Sequence, residues 1–210
     1  MSMAKRMTFV AVATAAMMAC SMPGPAKITE KQLYVLKAPD MSNAVDPASE
    51  ACVSLRISNT RSAAGFNTSR MAYSKEPDRL EYFAYHEWAA PPAKMIASMM
   101  ESGLSASGLF SVVLAGSPDI RTDLRLDSEL QILQQDFSAG KNTVQLGVKV
   151  SLVEPATRSL KSSRTFSYRE AADAENAEAG VAAANRAANR FMADLATFLR
   201  EIIRKDDCSG

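Results

Sequence analysis

Few side chains in this sequence could carry acid–base or metal chemistry near neutral pH. The 210 residues contain a single histidine, His86, which lies between Tyr85 and Trp88. A metal site or a nucleophile–histidine pair needs several such groups held together, and the nearby Glu81 and Glu87 are of a type that ordinarily faces water. The sequence therefore favours a structural or surface role for His86, and it predicts no metal site and no cofactor.

Two motifs that would indicate an enzyme are absent from the sequence. No Gly-x-Ser-x-Gly pattern occurs, and the one histidine cannot be assigned to any of the many serines, which argues against a serine hydrolase. No Walker A pattern occurs either, so ATP hydrolysis would require another subunit. We interpret the chain as a non-enzyme.

Composition limits the class of protein further. Hydrophobic residues make up 47% and charged residues 22%, which is typical of a globular domain. The 24 basic and 23 acidic residues give a net charge of +1, so no basic field is present to attract nucleic acid. A chain of this length has room for one domain of ordinary size.

The N-terminus has the pattern of a secretory signal with a lipoprotein cleavage site. Lys5 and Arg6 precede the apolar run 7–18, and the small residue Ala19 precedes Cys20. The run is shorter than the roughly 20 residues that span a bilayer. The four residues ending at Cys20 resemble the bacterial lipobox, with Met in place of the usual Leu. We expect residues 1–19 to be removed and Cys20 to be acylated; the alternative is an ordinary cleaved signal with an incidental cysteine.

Cleavage at that point also predicts the location of the mature chain. The mature chain keeps 22 basic and 23 acidic residues, so it has no polybasic patch, but acyl chains on Cys20 would hold it on a membrane without one. Ser21 follows the cysteine where lipoproteins of the inner membrane typically carry Asp, which favours the periplasmic face of the outer membrane. Residues 20–30, with Pro23, Gly24 and Pro25, are typical of a tether, and 31–206 would form a single periplasmic domain.

The first half of the mature chain predicts short strands and one helix. Strands are expected at 33–36 and 52–57, and a hairpin at 70–73 and 80–85. Residues 59–69 read as a loop. Pro91-Pro92 should begin a helix that ends at Gly108, because proline is tolerated in the first turn and glycine favours the C-terminal end.

The second half carries the clearest periodicity. Apolar residues alternate along 124–132 and 144–152, and a third run carries Leu160, Phe166 and Tyr168 on one side. These predict three antiparallel strands with one apolar face. Apolar residues at helical spacing over 181–202 predict a long helix that covers this face. The predicted fold class is α+β: an antiparallel sheet with one face covered by two helices, the C-terminal one long.

Two groups of side chains have competing interpretations. The aromatic residues around the hairpin could pack in the core or contact a lipid chain or a partner protein, and the candidates for such contact are Tyr82, Phe83 and Trp88. The methionines of the first helix, Met95, Met99 and Met100, could form an adaptable groove. Core packing is favoured for both groups.

The remaining cysteines form an even pair once Cys20 is acylated. Cys52 lies at the start of the second strand and Cys208 lies just past the long helix. Disulfides persist in an oxidising compartment, so a Cys52–Cys208 bridge is one expectation. The other is that Cys52 is a buried apolar residue and Cys208 a terminal thiol.

A set of residues spread along the chain matches one family in its order. They are Tyr34-Val35-Leu36, Pro39, Arg70-Met71-Ala72-Tyr73, Pro77, Leu80-Glu81-Tyr82-Phe83-Ala84, Trp88-Ala89, Pro91-Pro92, Gly108-Leu109-Phe110 and Val112-Val113. The chain resembles the ABC-type transport auxiliary lipoproteins, which include the C component of paraquat-inducible Mce-type systems. It departs from them at Phe83, where the family has a second Tyr, and in the polar, Arg-rich segment 59–69.

The resemblance implies a function and partners. It implies a periplasmic lipoprotein that works with an inner-membrane permease or ABC system and with an Mce-domain subunit that bridges the periplasm, in the transport of lipid or solvent and the upkeep of the envelope. The alternative is a free-standing lipoprotein that binds a lipophilic small molecule in an enclosed cavity; a third is an assembly lipoprotein with no link to transport. The oligomeric state stays open, a homo-oligomer included.

Overall fold

The computed structural model describes residues 30–39, 51–116, 120–140 and 142–203. The predicted signal peptide, Cys20 and Cys208 lie outside the described residues. From Lys31 onward, the described residues belong to one compact unit.

The described part of the chain folds into one sheet and two helices. The strands are β1 (Gln32–Tyr34), β2 (Ser54–Ile57), β3 (Arg61–Ser62), β4 (Arg70–Ser74), β5 (Glu81–Trp88), β6 (Val112–Ala115), β7 (Leu124–Asp136), β8 (Thr143–Glu154) and β9 (Ser159–Ala171). The helices are α1 (Pro92–Ala106) and α2 (Ala177–Ile203). The α+β class and the long C-terminal helix are confirmed.

Strands β7, β8 and β9 form the predicted antiparallel meander. Its apolar alternation places Leu124, Leu126 and Leu130 in the core. A bulge between Leu130 and Ile132 then shifts the register, so that Leu133 rather than Ile132 is buried beyond it. Gly147 lies opposite the bulge, where a Cβ atom would come within 2.8 Å of Ile132 Cγ2.

Leu160 was predicted to lie on the apolar side of the third strand, and the structure places it at the surface instead. It is 60% exposed, whereas Phe166 and Tyr168 on the same strand are buried as expected. A second register shift, between Leu152 and Val153 of β8, separates Leu160 from the alternation that holds farther along β9.

The other edge of β7 is shared by three short strands in succession. β2, β3 and β4 all pair with it in parallel. β6 pairs in parallel with β2, and β1 with β5, while β4 and β5 form the predicted antiparallel hairpin. The sheet is therefore mixed. Alternation within a strand reveals which face is buried but carries no information on the direction of the neighbouring strand.

The two helices begin and end for local reasons. Pro92 is the first residue of α1, where its missing N–H costs nothing. Gly108 follows the cap residue Ser107 with a positive φ of 65°, as the end of the helix requires. α2 buries a row of small residues along with Phe191 and Leu195, and the ring of Phe191 meets that of Phe166 edge-on at 5.6 Å. Small side chains allow the helix to lie close to the sheet.

At Gly180, α2 lies directly against a side chain of the sheet. A Cβ atom on Gly180 would overlap the side-chain oxygen of Gln135 and lie 2.8 Å from its Cδ. Gln135 is buried, and its Nε2 donates to Asn142 Oδ1 at 2.8 Å and to the Asn176 carbonyl at 3.2 Å. The amide cannot move away without breaking these bonds.

Gly180→Ala should therefore destabilise the protein by about 1–3 kcal/mol, the usual cost of overpacking. In an unobstructed helix the same change would stabilise by roughly 1 kcal/mol, so the sign of the effect is diagnostic. Urea unfolding followed by circular dichroism would measure it. In a Gln135→Ala background, Gly180→Ala should become neutral or stabilising; a gain in stability in the wild-type background would contradict the contact.

Candidate interaction site at the β1–β5 edge

β1 forms one edge of the sheet and is the first described strand after the predicted tether. It pairs in parallel with β5, with Tyr34 opposite Trp88. The backbone N–H of Ala89 donates to the Tyr34 carbonyl at 2.7 Å. Beyond β1, the Lys37 N–H donates to Asn185 Oδ1 of α2 at 2.7 Å. The segment is thus attached to both the sheet and the long helix.

Tyr34 is the centre of a polar cluster that joins three elements. Its hydroxyl oxygen lies 2.6 Å from Gln32 Oε1, 3.0 Å from Glu178 Oε1 and 3.1 Å from His86 Nδ1. A phenol has one proton to donate, so Tyr34 donates to one of the two oxygens, and its own oxygen can accept an N–H from His86. The rings of Tyr34 and His86 stack, with 5.9 Å between their centroids. The cluster connects β1, β5 and the first turn of α2.

The charges in this cluster act on its titratable groups. Burial raises the pKa of Tyr34, and the hydrogen bond and negative charge of Glu178 raise it further. The pKa of Glu178 is lowered, first by a hydrogen bond from its own backbone N–H and then by the Tyr34 hydroxyl. At neutral pH the pair is therefore a neutral phenol beside a carboxylate.

A bulge in β5 contains Phe83, whose ring packs beside this cluster. Arg70 of β4 pairs with Glu87 of β5, and Ala72 pairs with Tyr82. Between these two pairs the chain advances by two residues on β4 but by five on β5. Within this bulge the Phe83 ring contacts Tyr73 at 4.7 Å and His86 at 5.8 Å between centroids. A large bulge turns side chains out of the regular alternation, and it leaves Tyr85 50% exposed.

The three predicted contact residues occupy different environments. Trp88 is 4% exposed and lies in the core. Phe83 is partly buried against that core and borders the Tyr34 cluster through His86. Tyr82 donates its hydroxyl hydrogen to the Gly65 carbonyl at 2.8 Å and lies under the Arg70 guanidinium, 4.1 Å from its ring centroid. They do not form one exposed patch.

His86 lies within packed side chains, between Tyr34 and Phe83. Its Nδ1 is 3.8 Å from Glu178 Oε1. In the part of the chain that the structure describes, no group of three metal-ligating side chains occurs. The geometry gives His86 a role in holding β5 to β1 and α2.

A shallow apolar groove runs between the chain after β1 and helix α1. Its volume is about 330 Å³, and Val35, Leu36, Ala89 and Met95 line it, with Lys94 at its side. Of the methionines considered from sequence, Met99 and Met100 are buried in the core and Met95 is partly buried. The core interpretation holds for Met99 and Met100, and Met95 contributes to the groove.

Sequence reasoning missed the contact between Tyr34 and Glu178, which lie 144 residues apart. No local pattern connects them. It also missed two exposed apolar side chains: Leu33 of β1 is 64% exposed, and Val35, directly after β1, is 48% exposed. Polar or aromatic residues alternate with aliphatic ones over 32–35, and this pattern could have indicated that Leu33 and Val35 lie on the same side of the strand.

The predicted cysteine sites are only partly within the described residues. Cys52 is disulfide-bonded, and its partner lies outside the residues that the structure describes, as do Cys20 and Cys208. Next to Cys52, Asp123 Oδ2 accepts from the Ser54 N–H at 2.8 Å and from its hydroxyl at 2.6 Å. These hydrogen bonds lower the pKa of Asp123 and fix the start of β2. Among the described helices, none is long and apolar enough to cross a membrane.

Two solved structures share this fold. The crystal structure of protein XCC0632 from Xanthomonas campestris, of the DUF330 family model, matches with a TM-score of 0.75 at 18% identity, over 83% of this chain and 98% of that one. The crystal structure of an uncharacterized protein matches with a TM-score of 0.63 at 13% identity, over 81% and 99%. Identities this low show a common fold alone. No curated protein sequence matches the chain significantly.

The family assignment rests on a match along the sequence itself. The family model of the ABC-type transport auxiliary lipoprotein component matches residues 34–196. This range begins at the Tyr34 cluster, includes the whole sheet from β2 to β9, and ends within α2. The chain therefore belongs to the family of ABC-type transport auxiliary lipoprotein components.

Proposed function

We propose that this protein is a non-enzymatic accessory subunit of an Mce-type ABC system that moves lipid or solvent between membranes. Acylated Cys20 would hold it at the periplasmic face of the outer membrane. An Mce-domain subunit that spans the periplasm would recruit it, with the permease and ATPase in the inner membrane. The observation that carries this proposal is the family match over residues 34–196.

The packing supports a protein partner over a small lipophilic ligand. A free-standing binder would need an enclosed apolar cavity between sheet and helices, and ligand cavities are about 300–1,000 Å³. The cavity between α2 and the sheet, lined by Phe83, Trp88 and Gln135 among others, has a volume of about 10 Å³. That is space for about one water molecule. The groove of about 330 Å³ beside α1 is open at the surface, so it could not enclose a lipid. A larger depression of about 690 Å³ has Arg56, Arg121 and Asp123 in its lining, and these charged side chains do not suit an apolar ligand.

The environment of the single histidine supports a non-enzymatic role. The groups around His86 are Tyr34, Phe83 and Glu178, and they hold three elements together. The Nδ1 atom faces the Tyr34 hydroxyl at 3.1 Å, which supports a role in linking these elements.

Affinity purification from detergent-solubilised envelopes should recover an Mce-domain protein with this lipoprotein. Interaction with an Mce-domain subunit is the property that separates the proposed function from its alternative. Mass spectrometry of the eluate would identify the partner. An unrelated outer-membrane lipoprotein carrying the same tag is the control. Recovery of free lipid without a protein partner would contradict the proposal and favour the lipophilic binder.

A further inference from the structure

The two sides of β1 differ in what they contact. Gln32 and Tyr34 point toward α2, since the Tyr34 hydroxyl reaches both Gln32 and Glu178. Successive side chains of a strand point to opposite sides, so Leu33 points away from that cluster. It is 64% exposed, and Val35, two residues on, is 48% exposed. An outward apolar side is thus present on the strand that follows the predicted tether.

Other exposed groups extend this surface, which we call the β1 surface: Lys31, Leu33, Val35, Tyr85 and Lys94. Tyr85 is exposed on the neighbouring strand β5, and Lys94 lines the groove that includes Val35. Lys31 is paired with Glu87 at the same edge. Glu87, the residue opposite Leu33, balances the charge of Lys31. Apolar and aromatic side chains beside a lysine such as Lys94 suit a phospholipid headgroup region.

The chain between the anchor and β1 limits where this surface can lie. Eleven residue steps separate Cys20 from Lys31, and a fully extended chain of that length spans at most about 40 Å. If Cys20 is acylated, Lys31 and the start of β1 therefore stay within about 40 Å of the anchor, which makes β1 the described strand with the shortest chain connection to the membrane. By contrast, β9 lies five strand positions away from β1 across the sheet, through β5, β4, β7 and β8.

We propose that the β1 surface lies on the headgroup region of the anchoring phospholipid membrane. The inference rests on the acylation of Cys20 in the proposed function and adds an orientation of the domain to it. The acyl chains retain the protein, and the β1 surface sets which side of the domain meets the bilayer. Leu33 and Tyr85 lie among the lipids at the level of the first acyl carbons, and Lys94 pairs with lipid phosphate.

A tryptophan introduced at position 33 would test this orientation. Trp88 is the single tryptophan of the chain and is 4% exposed, so the wild-type fluorescence is a stable baseline. The acylated Leu33→Trp protein, purified from envelopes, would be reconstituted in phosphatidylcholine–phosphatidylglycerol vesicles. Half of the samples would contain lipids brominated near the headgroup end of their acyl chains. We expect a loss of the added fluorescence in brominated vesicles and a blue shift of its emission.

Leu160→Trp is the matched control, because Leu160 is a similarly exposed leucine on β9, at 60%. Its fluorescence should be the same with and without bromine. Equal fluorescence of Leu33→Trp in both vesicles would overturn the orientation, and a blue shift without quenching would overturn it in favour of a protein on that surface, including a second copy. If the wild-type protein failed to sediment with vesicles, the anchor itself would be wrong and the orientation with it.

Discussion

Cys20→Ser should abolish acylation, and it should either release the domain as a soluble periplasmic protein or block removal of the signal peptide. Two acyl chains of about 14 methylenes each would contribute roughly 20 kcal/mol to membrane partition, at about 0.8 kcal/mol per methylene. The β1 surface offers only a few side chains in comparison. Loss of the acyl chains should therefore shift the protein entirely out of the membrane fraction once it is processed.

Intact-mass measurement of the mature wild-type protein would show whether Cys20 carries lipid. Fractionation of the envelope would then compare wild-type protein with Cys20→Ser. Ser21→Ala is the matched control, because it changes the residue next to the proposed lipidation site and leaves Cys20 and both other cysteines in place. An unmodified Cys20 at the N-terminus of the mature wild-type protein would contradict the anchor.

Loss of the proposed Cys52–Cys208 disulfide should have the largest effect on folding stability. Cys52 is disulfide-bonded in the structure, and once Cys20 is acylated the chain has Cys208 as the one remaining partner. That bridge would close a loop of more than 150 residues. The chain-entropy account assigns about 4–5 kcal/mol to such a loop, less any strain. It would link the start of β2 to the chain beyond α2.

Guanidinium unfolding of the non-reduced protein would measure this contribution. Cys52→Ser and Cys208→Ser should each lower the free energy of unfolding by a similar amount, and the double variant should cost little more than either, since both remove one bond. Alkylation under denaturing, non-reducing conditions counts free thiols directly. Two labelled thiols per mature wild-type chain would exclude the bridge.

The strands and helices that could be predicted from sequence are those whose hydrophobic periodicity or end residues lie within one segment of the chain. The alternation along β7 and β8 and the helical spacing of α2 each extend over ten or more residues, so burial of one face determines them. The hairpin of β4 and β5 was predicted from two strand-like runs on either side of the turn residues 75–78. Pro92 and Gly108 also act locally, and they set the limits of α1 correctly.

What the sequence could not predict depends on residues far apart in the chain. The parallel pairing of β2 with β7 joins positions about 69 apart, and neither strand encodes the direction of the other. The bulges of β5 and β7 shift the alternation without a change in residue type that would reveal them. The Tyr34–Glu178 contact exists because β1 and α2 meet after folding. Trp88 was considered as a contact residue because exposure cannot be read from residue type alone.

The attachment of β1 determines how the domain responds to mechanical force. If the chain is fixed to a membrane at Cys20 and held elsewhere by a partner, tension enters the fold at Lys31. The three residue pairs that join β1 to β5 carry that load. Two hydrogen bonds to α2 share it, one from the Tyr34 hydroxyl to Glu178 and one from the Lys37 N–H to Asn185. Because these bonds reach both β5 and α2, a pull on the tether is divided between the sheet and the long helix. The fold can yield at β1 first and leave β7, β8 and β9 intact.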